Sequence, residues 1–184
     1  VPDLDVLLNQ QSKFKGVRAN LIATADAKFT GVSGSSRDIS NQTDLALLKK
    51  LRSLSDVIVT DAATARAENY RPSKWVPIEV WSATGDFAGV DSNLKLQKVQ
   101  SLEESLAKVK STYDAVLVET GPTLTGLIGE LKSIDQLKLT IVGAADCAAA
   151  TFASVQVIKR LNLEYLTESD VYELSGCFFF SFDR

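Results

Sequence analysis

Two short runs, Asp56-Val57-Ile58-Val59-Thr60 and Asp114-Ala115-Val116-Leu117-Val118, constrain the fold more than any other feature of the chain. Each is apolar without alternation and rich in β-branched residues, as expected of a strand covered on both faces. Such strands need a layer of helices on each side of their sheet. Helical patterns stand where those layers require them. Asn41 caps a helix whose Leu45, Leu47, Leu48 and Leu51 recur at helical spacing. Residues 62–67 read as a short helix, Ser101 and Glu104 form a capping box opening a helix to about Lys110, and Gly121-Pro122 opens another to Leu131. A further helix is expected over 152–161. Additional strands are expected at 17–23, 77–82 and 136–142. The segments 163–166 and 177–182 read as late strands, antiparallel neighbours, while 24–40 and 84–93 read as loops. Strands alternating with helices imply βαβ units and a three-layer α/β/α domain, its sheet mostly parallel with antiparallel C-terminal strands.

Length and charge narrow the function classes. At 184 residues the chain is expected to form a single domain, with residues 1–15 a flexible or peripheral segment. A net charge of -3 argues against a nucleic-acid partner. No apolar stretch approaches the roughly 20 residues of a membrane span, and Val1–Lys15 lacks the layout of a secretory signal. The first residue is Val1, so the N-terminus is expected to have been trimmed or cut from a longer chain. Cys147 and Cys177, thirty residues apart, form neither a disulfide framework nor a zinc site, and read as small buried residues in a reducing, cytoplasmic compartment. The chain has no histidine. That removes Ser-His-Asp and Cys-His hydrolysis and every His-based metal site. Chemistry must then run on carboxylates, hydroxyls, Lys, Arg or a cofactor, and hydride transfer suits such a chain because the cofactor carries the reactive atom.

In open α/β sheets ligands lie beyond the carboxyl ends of the strands, and three such ends are informative. The strand ending at Val118 runs into Glu119-Thr120-Gly121-Pro122-Thr123-Leu124, a carboxylate followed by a turn and a helix N-terminus able to receive an anion. The strand ending at Thr60 runs into Asp61-Ala62-Ala63-Thr64-Ala65-Arg66-Ala67-Glu68, where small residues permit close approach and Thr64 and Glu68 share a helix side. Taken alone, the segment reads slightly better as an Ala-rich surface helix with a solvated Glu. The first strand ends at Thr24-Ala25-Asp26, followed by Gly34-Ser35-Ser36-Arg37-Asp38-Ile39-Ser40, hydroxyls and charges suited to a phosphorylated polar substrate.

The order and spacing of these pieces, with Leu51-Arg52-Ser53-Leu54-Ser55-Asp56 and the closing Gly176–Arg184 segment, carry a resemblance. Over 18–70 and 116–142 the chain is similar to the reductase domain of riboflavin biosynthesis, a family with a dihydrofolate-reductase-like fold. The match covers about two-thirds of the chain. It implies NADPH-dependent reduction of a ribosylaminopyrimidine 5′-phosphate to its ribitylamino form. It further implies that Thr60, Asp61, Ala63, Thr64, Thr120, Gly121, Pro122, Thr123 and Leu124 bind the cofactor. Ser36, Arg37, Asp38 and Arg52 would bind substrate, and Glu68, Glu119 and Asp26 would be catalytic, with Glu68 supplying proton help if its pKa is raised. Arg52 reads equally well as a surface ion-pair partner. The resemblance implies a homodimer, and neither a metal nor a membrane contact is expected. The family's zinc deaminase signature is absent, as in a stand-alone reductase domain.

The chain also departs from the family. Asp61 stands where a cofactor-loop glycine is usual, Thr120 replaces a glycine, Asp38 an aromatic, and Ala25 and Ala27 change the turn after the first strand. A carboxylate about 5 Å from a pyrophosphate, at an effective dielectric near 20, repels it by about 3 kcal/mol per charge pair. If Asp61 points away, or meets a ribose hydroxyl, that cost vanishes. These departures keep two alternatives open: a reductase of another small phosphorylated or pteridine-like substrate, and a catalytically idle paralogue that binds a ligand or stabilises a partner enzyme.

Overall fold

The structure, a computed structural model, describes residues 3–184. Eight strands form one sheet in the order β4-β3-β2-β5-β1-β6-β8-β7. They are β1 (Gly16–Thr24), β2 (Val57–Asp61), β3 (Ile78–Ser82), β4 (Lys95–Lys98), β5 (Ala115–Val118), β6 (Gln136–Val142), β7 (Thr167–Leu174) and β8 (Cys177–Asp183). All neighbours are parallel except that β8 runs antiparallel to both β6 and β7. The α-helices among the described residues are α1 (Leu4–Asn9), α2 (Gln42–Ser53), α3 (Ala62–Ala67), α4 (Leu102–Thr112), α5 (Pro122–Glu130) and α6 (Cys147–Arg160). The sheet is thus mostly parallel with an antiparallel C-terminal end, as expected.

The two unalternated runs are β2 and β5, side by side in the sheet. Val57 and Val59 enter the core built with α4, α5 and α6, whereas Ile58 enters the core built with α1, α2 and α3. One strand thus feeds two cores. Each fully buried Val, Ile or Leu contributes about 1.5–3 kcal/mol relative to exposure.

Both sheet edges were illegible as strands. β4 is Lys-Leu-Gln-Lys and β7 is Thr-Glu-Ser-Asp-Val-Tyr-Glu-Leu, largely solvated. Polar edge strands are how sheets avoid pairing with other chains, and their composition resembles that of loops. The expected strand at 163–166 is instead a turn: Leu163 and Leu166 are buried, but β7 begins at Thr167. Helix α6 starts earlier than its periodicity indicated, at Cys147, because Asp146 caps it through the Ala149 N–H at 2.8 Å. Cys147 is consequently exposed in that first turn, and only Cys177 is buried. Within 1–15, α1 docks against the sheet and buries Leu7.

Helix α2 divides its leucines. Leu47 and Leu51 face the core with Thr43 and Asp44, while Leu45 is exposed and Leu48 partly so. The apolar stripe is wider than the sheet contact. Its outer margin, Leu45 and Leu48, lines a cleft.

Candidate functional site

The cleft has a volume of about 530 Å³ and opens beyond the carboxyl ends of β1, β2 and β5, between α2, α3 and the N-terminus of α5. The chain reverses its order of strands here: β5 returns to lie between β2 and β1, the position at which α/β sheets bind ligands.

One wall is a buried ion pair. Arg52 of α2 forks onto Glu119 beyond β5, Nε donating to Oε1 at 2.8 Å and Nη2 to Oε2 at 2.5 Å. Tyr70 closes the group. Its hydroxyl donates to Glu119 Oε2 and accepts from Arg52 Nη2 at 3.0 Å, with the guanidinium 5.1 Å from its ring centre. Burial opposes the Arg52 charge, but the Glu119 carboxylate more than restores it and holds the guanidinium above its ordinary pKa. Burial first, and Glu119 next, push the Tyr70 phenol well above its ordinary value. Arg52, expected either to meet substrate or to be a surface ion-pair partner, lines the cleft with its guanidinium paired to Glu119.

A second cluster sits under the loop over 31–38. Glu68 Oε1 accepts from Ser35 Oγ at 2.8 Å and from Ser36 N and Oγ, each at 2.9 Å, while Oε2 pairs with Arg37 Nε at 2.9 Å. Arg37 also donates to the Glu68 carbonyl. Glu68, predicted to be a solvated or catalytic carboxylate, is 13% exposed and clamps the loop that carries Ser36 and Arg37 into the cleft. Asp38 faces away and accepts from Ser33 N at 2.6 Å, which lowers its pKa and pins the loop from the other side. Asp26 is not brought to the cleft. It pairs with Lys28 at 2.6 Å and with Thr24 on the surface, Lys28 first lowering its pKa.

At the cofactor-predicted end, Ala63, Thr64, Thr120, Gly121 and Pro122 line the cleft, whereas Thr123 is exposed beside it and Leu124 packs on the core. Thr60 is fully buried and donates to the Glu119 carbonyl at 2.7 Å, a structural bond that places Glu119. Thr120 shares a 2.7 Å bond with Thr125. No side chain caps α5, and Pro122 at its first turn has no N–H, so the N–H groups of Thr123 and Leu124 have no side-chain acceptor. Asp61 does not face solvent freely. Its Oδ1 accepts from Thr64 N at 2.8 Å, and its Oδ2 from Thr64 Oγ1 at 2.8 Å and Gly121 N at 2.9 Å.

Besides Tyr70, two cleft residues escaped sequence reasoning. Asp44 is 6% exposed; Oδ2 accepts from Ser40 Oγ at 2.6 Å and Oδ1 from Thr140 Oγ1 at 2.8 Å. Burial raises its pKa, and the two hydroxyls only partly offset this. Asn20 of β1 has a buried Oδ1 with no hydrogen-bond partner, in a side chain that lines the cleft. An unmet buried acceptor costs about 1–3 kcal/mol, a cost that a ligand N–H would remove. Among the described residues no three His, Cys, Asp or Glu gather as a metal site, and no helix is long and apolar enough to cross a membrane.

No family model and no curated protein sequence matches the chain. Solved structures do. A pyrimidine reductase-like protein from Corynebacterium diphtheriae is 18% identical with a TM-score of 0.71, over 100% of this chain and 98% of that one. A dihydrofolate reductase from Enterococcus faecalis, complexed with NADP(H), is 12% identical with a TM-score of 0.67, over 93% and 98%. A diaminohydroxyphosphoribosylaminopyrimidine deaminase/5-amino-6-(5-phosphoribosylamino)uracil reductase from Thermotoga maritima is 15% identical with a TM-score of 0.66, over 93% of this chain and 57% of that one. At these identities the likeness establishes the fold.

Proposed function

We propose that the chain is an NADPH-dependent reductase of a phosphorylated ribosylaminopyrimidine, converting its ribosyl group to ribityl. The observation that carries this reading is a buried carboxyl, Asp44, whose pKa burial raises, in the wall of a cleft whose other end is an uncapped helix N-terminus. In a chain without histidine this pairing suits hydride transfer with protonation. The residues fit a dinucleotide. Thr64 and the turn Gly121–Leu124 would hold it, and the unmet Asn20 Oδ1 offers an acceptor for a ring or carboxamide N–H. When bound, NADPH supplies the hydride.

The protein's own part is positioning and proton supply. Ser36 and Arg37 meet the substrate phosphate, on a loop held rigid by Glu68. The Arg52–Glu119–Tyr70 group holds the cleft wall in place. Reduction of the sugar carbon would leave a neighbouring heteroatom in need of a proton, and Asp44, whose carboxyl burial shifts toward the protonated form, would supply it. The free thiols Cys147 and Cys177 suit a reducing cytoplasm. Phe152 and Val155, three residues apart on α6, give an exposed apolar face for the expected homodimer.

The test is loss of NADPH absorbance in the presence of the ribosylaminopyrimidine phosphate, with product identified by mass. Turnover to the ribityl compound is the expected result; binding of both compounds with no product points to the idle paralogue. Glu68→Gln removes one charge from the clamp. It is expected to cut kcat/KM more than about tenfold, chiefly by raising the substrate KM, and to leave NADPH affinity unchanged. Unchanged kinetics take Glu68 out of the site.

A further inference from the structure

Asp61 closes β2 and caps α3, and its carboxylate reaches a second helix. Three donors converge on it: Thr64 N and Thr64 Oγ1 from the first turn of α3, and Gly121 N from the cap position of α5. Gly121 N is shared with Thr64 Oγ1 at 2.9 Å. A Cβ on Gly121 would lie 3.4 Å from Thr64 Oγ1 and 3.8 Å from Asp61 Oδ2, so glycine lets the two ends approach. The N-terminus of a helix carries roughly half a positive charge. Here a full negative charge belonging to the chain sits between the starts of α3 and α5, just beneath the cleft surface formed by Thr64, Gly121 and Pro122.

We infer that Asp61 is an internal counter-anion that occupies the field of both helix N-termini and thereby weakens the binding of a dinucleotide pyrophosphate at the Thr64–Gly121 end. The inference rests on the dinucleotide reading above. Asp61 does not line the cleft, so it does not obstruct the ligand; it acts through charge and through the Gly121 N–H it has already taken. A second anion about 5 Å from a carboxylate, at an effective dielectric near 20, loses more than about a hundredfold in affinity, and solvent screening reduces this toward tenfold. The same carboxylate stabilises the unliganded fold by capping α3 and tying it to α5. Stability and cofactor affinity therefore oppose each other at this one side chain.

The experiment measures the NADPH dissociation constant by tryptophan fluorescence and the melting temperature, for wild type, Asp61→Asn and Asp61→Ala. Asn keeps the cap acceptor and removes the charge. It is expected to tighten NADPH at least about tenfold, with a melting temperature within about 2 °C of wild type. Ala loses both and is expected to tighten NADPH while melting about 2–4 °C lower. A merely structural Asp61 would leave the Asn variant's affinity unchanged and lower both quantities for Ala, which overturns the inference and leaves the dinucleotide reading intact. Failure of wild type and both variants to bind NADPH overturns the two together, because removing the charge then opens no site.

Discussion

Replacing Arg52 with alanine is expected to destabilise the fold by about 3 kcal/mol, the larger part of it through the carboxylate left behind. Glu119 is 5% exposed at its side chain and receives two of its bonds from Arg52. Without the guanidinium its charge remains in a poorly hydrated wall with only Tyr70 donating. Removing one member of a buried pair costs about 3–5 kcal/mol; Arg52 is one-third exposed, so water entering its place sets the lower end. In a chain of this size the melting temperature should fall by about 6–12 °C. Arg52→Lys should recover only part, since an ammonium cannot fork across both oxygens. Adding Glu119→Gln to Arg52→Ala should restore stability by neutralising the orphan, and a double-mutant cycle reads the coupling. A loss below about 0.5 kcal/mol in the single variant would show that the pair is hydrated and contributes no more than a surface bridge.

Asp44→Asn is expected to lower turnover by about a hundredfold, the lower end of what a positioned proton donor supplies, while leaving NADPH affinity unchanged. It is also expected to raise the melting temperature by about 2–4 °C at neutral pH. The two signs have one cause. Burial raises the Asp44 pKa in the folded chain, so folding favours the protonated carboxyl. Its stabilising contribution is fully present below the unfolded carboxylate pKa and is lost as pH rises through the raised folded value. At neutral pH the buried charge is a burden that asparagine does not carry, and an amide can still bond to Ser40 and Thr140. Turnover should likewise decline as pH rises through the raised pKa, and the Asn variant should lose that limb of the profile. Full activity in Asp44→Asn would remove this carboxyl from proton transfer.

The fold was legible where local chemistry and tertiary burial agree. Unalternated Val57-Ile58-Val59 and Val116-Leu117-Val118 can lie only inside a two-sided sheet, and Asn41 and Ser101 cap the helices they announce. The site was legible in part for the same reason. Ser36, Thr64, Glu68, Arg52, Glu119 and Gly121 stand at strand ends or in the segments following them, and the fold gathers them around one cleft. Asp44 was not. An Asp in the first turn of a helix is ordinary, and its burial depends on Thr140, 96 residues away. Asn20 is hidden within the apolar run of β1, and its unmet oxygen is a property of its neighbours. Tyr70 reads as the tail of the α3 segment until Arg52 and Glu119 meet it. The direction of Asp61 followed the same rule. Its capping of Thr64 was within reach of sequence, whereas its bond to Gly121, 60 residues on, required the β2–β5 pairing.

The central claim, that this cleft takes a nicotinamide dinucleotide, is tested most directly by titrating the wild-type chain with NADPH, and in parallel with NADH, while following the fluorescence of Trp75 and Trp81. Trp81 lies buried in β3, beside β2, whose end leads into the cleft, and Trp75 stands exposed on the loop before β3. Saturable quenching below millimolar NADPH is the result predicted here, weakened by Asp61 but present. No saturation at millimolar concentrations of either dinucleotide would contradict the assignment and leave a dihydrofolate-reductase-like fold that holds some other ligand.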